Sequence, residues 1–266
     1  MNPTTRCLFA SSLVGLLFIC AFQAALPQES QTYVQTVLAD KALLPAERKQ
    51  DYLGYNFAPL WLQTHHSAVF GIIGARYQRL HMKLLTATKD PTAPGRYRIA
   101  GKSKVNNTVC SFSGTLTIRN VREWKVKSTR CDETVSPARK EGILLADYRL
   151  AEDSTQHEAG VFTGVVQTNW YVDKKGRLLY DDIVDFGDGF CNNQFVGIWT
   201  SYRNNKTLRC NWGDHRVPNA GAFDLGAGEF SPDPKYAANG WQQYISAWTS
   251  DPQSKAAQQR EEKPWW

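Results

Sequence analysis

CSFSGTLTIRNVREWKVKSTRC, residues Cys110 to Cys131, is the stretch that decides the fold class. Phe112, Gly114, Leu116 and Ile118 fall on one face of an extended chain, and Ser113, Thr115, Thr117 and Arg119 on the other. That two-residue period is the mark of a half-buried strand. A reversal centred on Asn120 and Val121 predicts a hairpin of strands 110–119 and 122–130. In that register Cys110 faces Cys131 as a non-hydrogen-bonded pair, with Cα atoms roughly 4.5 Å apart and within reach of a disulfide. The branched side chain of Val121 resists positive φ, so a four-residue loop in the same register is expected in place of a type I′ turn.

Outward from the hairpin the same texture continues. Further strands are predicted at 77–87, 96–104, 142–150, 160–172, 177–184, 194–203 and 206–212. Turn-rich linkers part them about every eight to twelve residues, the punctuation of an antiparallel meander. One signature recurs in it: Phe112-Ser113-Gly114, Phe162-Thr163-Gly164 and Phe195-Val196-Gly197, each followed two residues later by Leu116, Val166 or Trp199. Interior glycines at a fixed offset suit a sheet that bends and closes. The expected fold is therefore mainly β, a meander closing into a single β-barrel of about eight to ten strands. In general shape it is similar to lipocalin-like and avidin-like barrels, but carries the signature residues of neither family. Periodicity turns Phe112, Phe162, Trp170, Phe195 and Trp199 inward as candidate ligand-binding residues. Gly101, Gly114, Gly164 and Gly197 mark where room for a ligand would lie.

The flanks read differently. Residues 1–25 form an export signal, because the uncharged apolar run of residues 8–26 follows a segment whose only charge is Arg6. The alternative is a membrane anchor made by that same run. Residues 26–75 carry helix signals broken at Pro45 and Pro59, with the last helix expected in PLWLQTHHSAVFGIIG. The barrel is assigned to 76–213. Residues 214–266 give a long Gly, Pro and Asp-rich loop, a helix and a polar tail. In that helix Trp241, Tyr244, Ile245 and Trp248 make one apolar stripe, expected to dock on the barrel.

An exported chain loses Cys7 and Cys20 with its signal and retains Cys110, Cys131, Cys191 and Cys210, an even set in an oxidising compartment. Register selects Cys110 with Cys131 and leaves Cys191 with Cys210. No two of the four stand two to four residues apart, which argues against a zinc site.

Chemistry is scarcer. GRYRIAGKS, Gly95 to Ser103, resembles a phosphate loop but has one residue too many between its glycines, and it alternates like a strand. DDIVDFGDGF lacks the ligand spacing of a calcium loop and reads as a strand running into a turn. No nucleophile elbow, HExxH, CxxC or dinucleotide fingerprint occurs, and neither cofactor nor metal is expected. Charge is segregated. From Arg76 to Lys140 there are fifteen Lys and Arg against four Asp and Glu, a net +11; from Glu141 to Trp266, twelve against seventeen, a net −5. Exported proteins seldom meet nucleic acid, so the basic surface of Arg119, Arg122, Lys125, Lys127 and Arg130 points to an anionic envelope polymer or an acidic protein.

The expectation is an exported, non-enzymatic barrel that binds a small apolar or amphipathic ligand, or a partner, at the mouth left uncovered by helix. Two other readings stand beside it. One is an envelope or host-interaction protein acting through the basic surface. The other is a hydrolase assembled from Asp182, Asp185, Asp188 and His215 in turn-rich segments.

Overall fold

The computed structural model describes residues 25–127, 136–249 and 252–266. The stretch up to residue 24, on which the expected export signal falls, together with Arg130 and Cys131, lies outside the described residues. The chain is mainly β. Among the described residues, strands β1 (Val69–Ile73), β2 (Gln78–Lys89), β3 (Arg96–Val105), β4 (Thr108–Glu123), β5 (Ala138–Glu152), β6 (Gly160–Asp173), β7 (Leu178–Tyr180), β8 (Asn192–Ser201) and β9 (Thr207–Asp214) form one large antiparallel sheet. Their order is β5-β4-β3-β2-β1-β9-β8-β6-β7, and β5 pairs with β6 as well. Short helices flank it: α1 (Gln28–Leu38), α2 (Lys49–Tyr52), α3 (Gln242–Ala247) and α4 (Ser254–Glu261). No helix of the described residues is long and apolar enough to cross a membrane.

The predicted hairpin is corrected. β4 runs through Asn120 and Val121 as one strand of 16 residues, and its two partners are β3 and β5. The register shifts between Ile118 and Asn120, so the turn signal is absorbed as a bulge. Val121 explains the choice: its side chain is fully buried in the main core, a gain that a turn position would forfeit. Cys110 consequently faces Ser103. Cys110, Cys191 and Cys210 are all free thiols, which also corrects the Cys191–Cys210 bridge. Asn192 pairs with Asp214, four residues or roughly 13 Å beyond Cys210 along the strands, and Cys191 lies one residue further still, too far for a disulfide.

β1 is the second correction, since VFGII was read as the end of a helix. Phe70 and Ile72 pack outward under the C-terminal segment, while Ile73 joins the main core. A strand covered on both faces loses the alternation by which a strand is recognised.

The Phe-x-Gly faces point as periodicity requires. Phe112, Phe162, Phe195, Leu116, Val166 and Trp170 are buried in one cluster, with Trp199 packed against it. The glycines leave less room than expected, because aromatic rings lie over them. A Cβ on Gly101 would fall 2.6 Å from the Phe112 ring, and one on Gly164 or Gly197 would fall 2.7 or 2.3 Å from the Tyr148 hydroxyl. The middle of the sheet's inner face is therefore packed.

Outside the sheet, α1 lays Tyr33, Val34, Val37 and Leu38 over Leu145, Val165 and Val196. The C-terminal stripe docks as expected: Trp241 and Tyr244 are buried with Phe70, Phe223 and Phe230, and Ile245 packs against them. Trp248 is left 66 % exposed.

Candidate functional site

The inner face of the sheet has two rims, and the chain treats them differently. At one rim Tyr52, Phe57, Leu60 and Trp61 enter the main core between the strand ends. The Trp61 ring meets Tyr97 edge-on at 4.9 Å, and Tyr52 lies 4.5 Å from Trp170. A polar latch fixes this plug. Asp214 Oδ2 accepts from Thr64 Oγ1 at 2.6 Å, Asn193 Nδ2 at 2.7 Å and Tyr180 OH at 3.0 Å. Asn193 also donates to the carbonyl of Leu60 at 2.8 Å and accepts from Thr168, which in turn accepts from the indole of Trp61. Asn193 can face inward because it adopts φ 44° at the irregularity between Asn192 and Phe195, a conformation Asn tolerates well. Burial pushes the Asp214 carboxyl up to about 7 against the pull of its three donors.

The other rim is open. A cavity of about 700 Å³ lies there, walled by Ile73, Val105, Phe162, Trp199 and Leu208. Its polar floor is Glu152, with Ser103 and Ser201 beside it. Glu152 ends the inward alternation Leu144, Ala146, Tyr148, Leu150, and is itself buried. One carboxylate oxygen accepts from Ser103 Oγ; the other accepts from Trp199 Nε1 at 2.8 Å and Gly160 N at 2.8 Å. Burial nonetheless raises its pKa. Gly160 makes the indole contact feasible, because a Cβ there would fall 2.6 Å from the Trp199 ring. The thiol of Cys110 reaches the carbonyl of His157 at 3.6 Å. Burial, with the carboxylates of Glu152, Asp153 and Glu158, pushes it up to about 11, so it stays protonated and is a poor nucleophile.

Of the five inward aromatics expected at a ligand site, Phe162 and Trp199 line this cavity. Phe112 and Phe195 lie in the packed interior, and Trp170 lies against the plug. Glu152, Ser103 and Asp214 were missed, although each ends an inward alternation already evident in its strand: Tyr148, Leu150, Glu152; Ile99, Gly101, Ser103; and Cys210, Trp212, Asp214.

The basic surface is largely engaged in internal contacts. Arg119 pairs with Asp147 at 2.7 Å, and Arg122 and Lys125 donate to carbonyls of Leu44, Pro45 and Lys41, strapping that segment to β4. Lys127 is exposed. In the hydrolase reading, His215 stacks edge-on against Phe190 at 5.0 Å, and burial lowers its pKa. Among the described residues its side chain makes no hydrogen bond to a serine, threonine or cysteine, and no cluster of three metal-ligating side chains occurs. A second cleft, of about 530 Å³, lies between β2–β3 and α4 and is lined chiefly by polar groups, including Arg79, His81, Lys104 and Glu261.

Comparison with protein-family models, curated proteins and solved structures finds no match. The geometry of the mouth therefore carries the functional argument.

Proposed function

We propose that the chain is an exported, non-enzymatic β-barrel that binds a small amphipathic molecule at its open rim. The pairing of β5 with β6 supports closure, since each of the eight strands from β1 to β6, β8 and β9 then has a neighbour on both sides. The observation that carries the binding reading is the contrast between the rims: one is filled by aromatics and latched, and the other opens on an apolar-walled cavity with a few convergent polar groups. Such a cavity shelters an apolar body and leaves a polar head near solvent. The surface reading has less support, because Arg119, Arg122 and Lys125 already hold partners within the chain.

The test is a titration with 1-octanol followed by the indole N–H resonance of Trp199, assigned through Trp199→Phe. A saturable shift confined to residues of the mouth supports the reading. No saturation by octanol or by any charged octyl compound overturns it.

A further inference from the structure

The cations around the open rim are a feature that its apolar walls do not explain. Arg76 sits in the β1–β2 turn, and Arg203 and Lys206 in the β8–β9 turn; all three are exposed and line the cavity. β1 pairs with β9, Ile73 opposite Cys210, so the two turns are neighbours on the rim. Among the described residues none of the three side chains makes an ion pair or a hydrogen bond within the chain. Arg79, Arg119, Arg177, Arg209 and Arg216, by contrast, each hold a carboxylate. One acid, Glu158, shares the rim with them. The other, Glu152, lies on the floor with its oxygens occupied by Ser103, Trp199 and Gly160.

This distribution assigns both an orientation and a charge to the occupant. A negative head driven to the floor would meet the Glu152 carboxyl in a poorly solvated place, an arrangement of like charges that costs free energy. The same head at the rim stays hydrated and meets guanidinium groups, whose planar fork matches an oxyanion. A cationic head would meet three cations and one acid.

We infer that the mouth takes an anionic amphiphile, its apolar chain against Ile73, Val105, Phe162, Trp199 and Leu208 and its carboxylate or phosphate-type head at Arg76, Arg203 and Lys206. This rests on the reading of the mouth as a ligand site. Affinity comes chiefly from the buried chain, and selectivity among heads from the rim. Exposed cations are screened by salt, so the selectivity should fade as ionic strength rises.

The experiment compares octanoate, octyl phosphate, 1-octanol and octylamine at low salt, on the native chain and on the Arg76→Gln/Arg203→Gln variant, by calorimetry and the Trp199 indole resonance. The expected result is that both anions bind about tenfold more tightly than octanol, with octylamine weakest. The double variant should lose that preference while binding octanol unchanged. Both substitutions lie on exposed turns, and a thermal melt checks that the variant is folded. Octanol binding as tightly as octanoate, octylamine binding most tightly, or a preference that survives in the double variant would each overturn the anion assignment and leave the mouth as a ligand site. If none of the four saturates, the mouth reading itself fails.

Discussion

Trp199 donates its indole N–H to Glu152 across the floor of the open rim, at 2.8 Å. Replacement by Trp199→Phe keeps an aromatic ring and removes the donor. Glu152 would then be left with Ser103 and the Gly160 amide as partners. Loss of stability by about 1–3 kcal/mol is expected, with the carboxyl titrating higher than in the native chain. Urea unfolding and a carboxyl NMR titration read the two effects. An unchanged titration would mean that the indole does not stabilise the charge.

The latch at the opposite rim predicts a pH dependence. Burial raises Asp214 from its ordinary 3.8 to about 7, so folding favours the protonated form. Its contribution is complete below about pH 4 and is lost as pH rises through about 7. Glu29 and Glu123 titrate below their ordinary values and act in the opposite sense. Subtracting the stability curve of Asp214→Asn from that of the native chain isolates the Asp214 slope. The difference should fall between those two pH values, and a flat difference would show that Asp214 is ionised in the folded state at no cost.

Tyr148 makes a third case. Its hydroxyl lies over Gly164 and Gly197 and has no hydrogen-bond partner among the described residues. Tyr148→Phe should therefore be neutral or gain about 1 kcal/mol. Gly197→Ala should cost about 3 kcal/mol, because its Cβ would fall 2.1 Å from the carbonyl oxygen of Thr163 as well as against the hydroxyl. The carbonyl clash does not depend on Tyr148, so Tyr148→Phe/Gly197→Ala should remain close to the single alanine variant in chemical denaturation. Full rescue would show that the hydroxyl alone excluded the side chain.

Thiol chemistry checks the corrected cysteines. Cys210 is fully buried and Cys191 only partly so, and neither is cross-linked. Alkylation of the native protein should modify Cys191 first, and Cys210 only after unfolding. A peptide map linking the two would contradict the register of β8 on β9.

Strands with one inner and one outer face were legible. β3 and β6 fall within a residue of the ranges expected from alternation, and the faces of Phe112, Phe162 and Phe195 point as the period demands. Legibility failed where tertiary burial competed with a local signal. Asn120 resembles a turn until Val121 has a core to enter, and Phe70 to Ile73 look helical until both of their faces are covered. The mouth was half legible. Phe162 and Trp199 followed from periodicity, whereas Glu152 needed the alternation of β5 carried one step further, to a residue type that is seldom buried without partners.

The latch also has a kinetic meaning. Thr64 and Asp214 are 150 residues apart in sequence, and β1 finds β9 across nearly the same interval. Neither the plug nor the closing pair can form until almost the whole sheet has been synthesised. Loop-closure entropy of that size places both events late and makes folding slow. Until then β1 and β9 remain open edges, a state in which the chain is most exposed to mispairing. A chain threaded across a membrane before folding would hold that vulnerable form throughout its passage, and would close its sheet only once residue 214 had emerged.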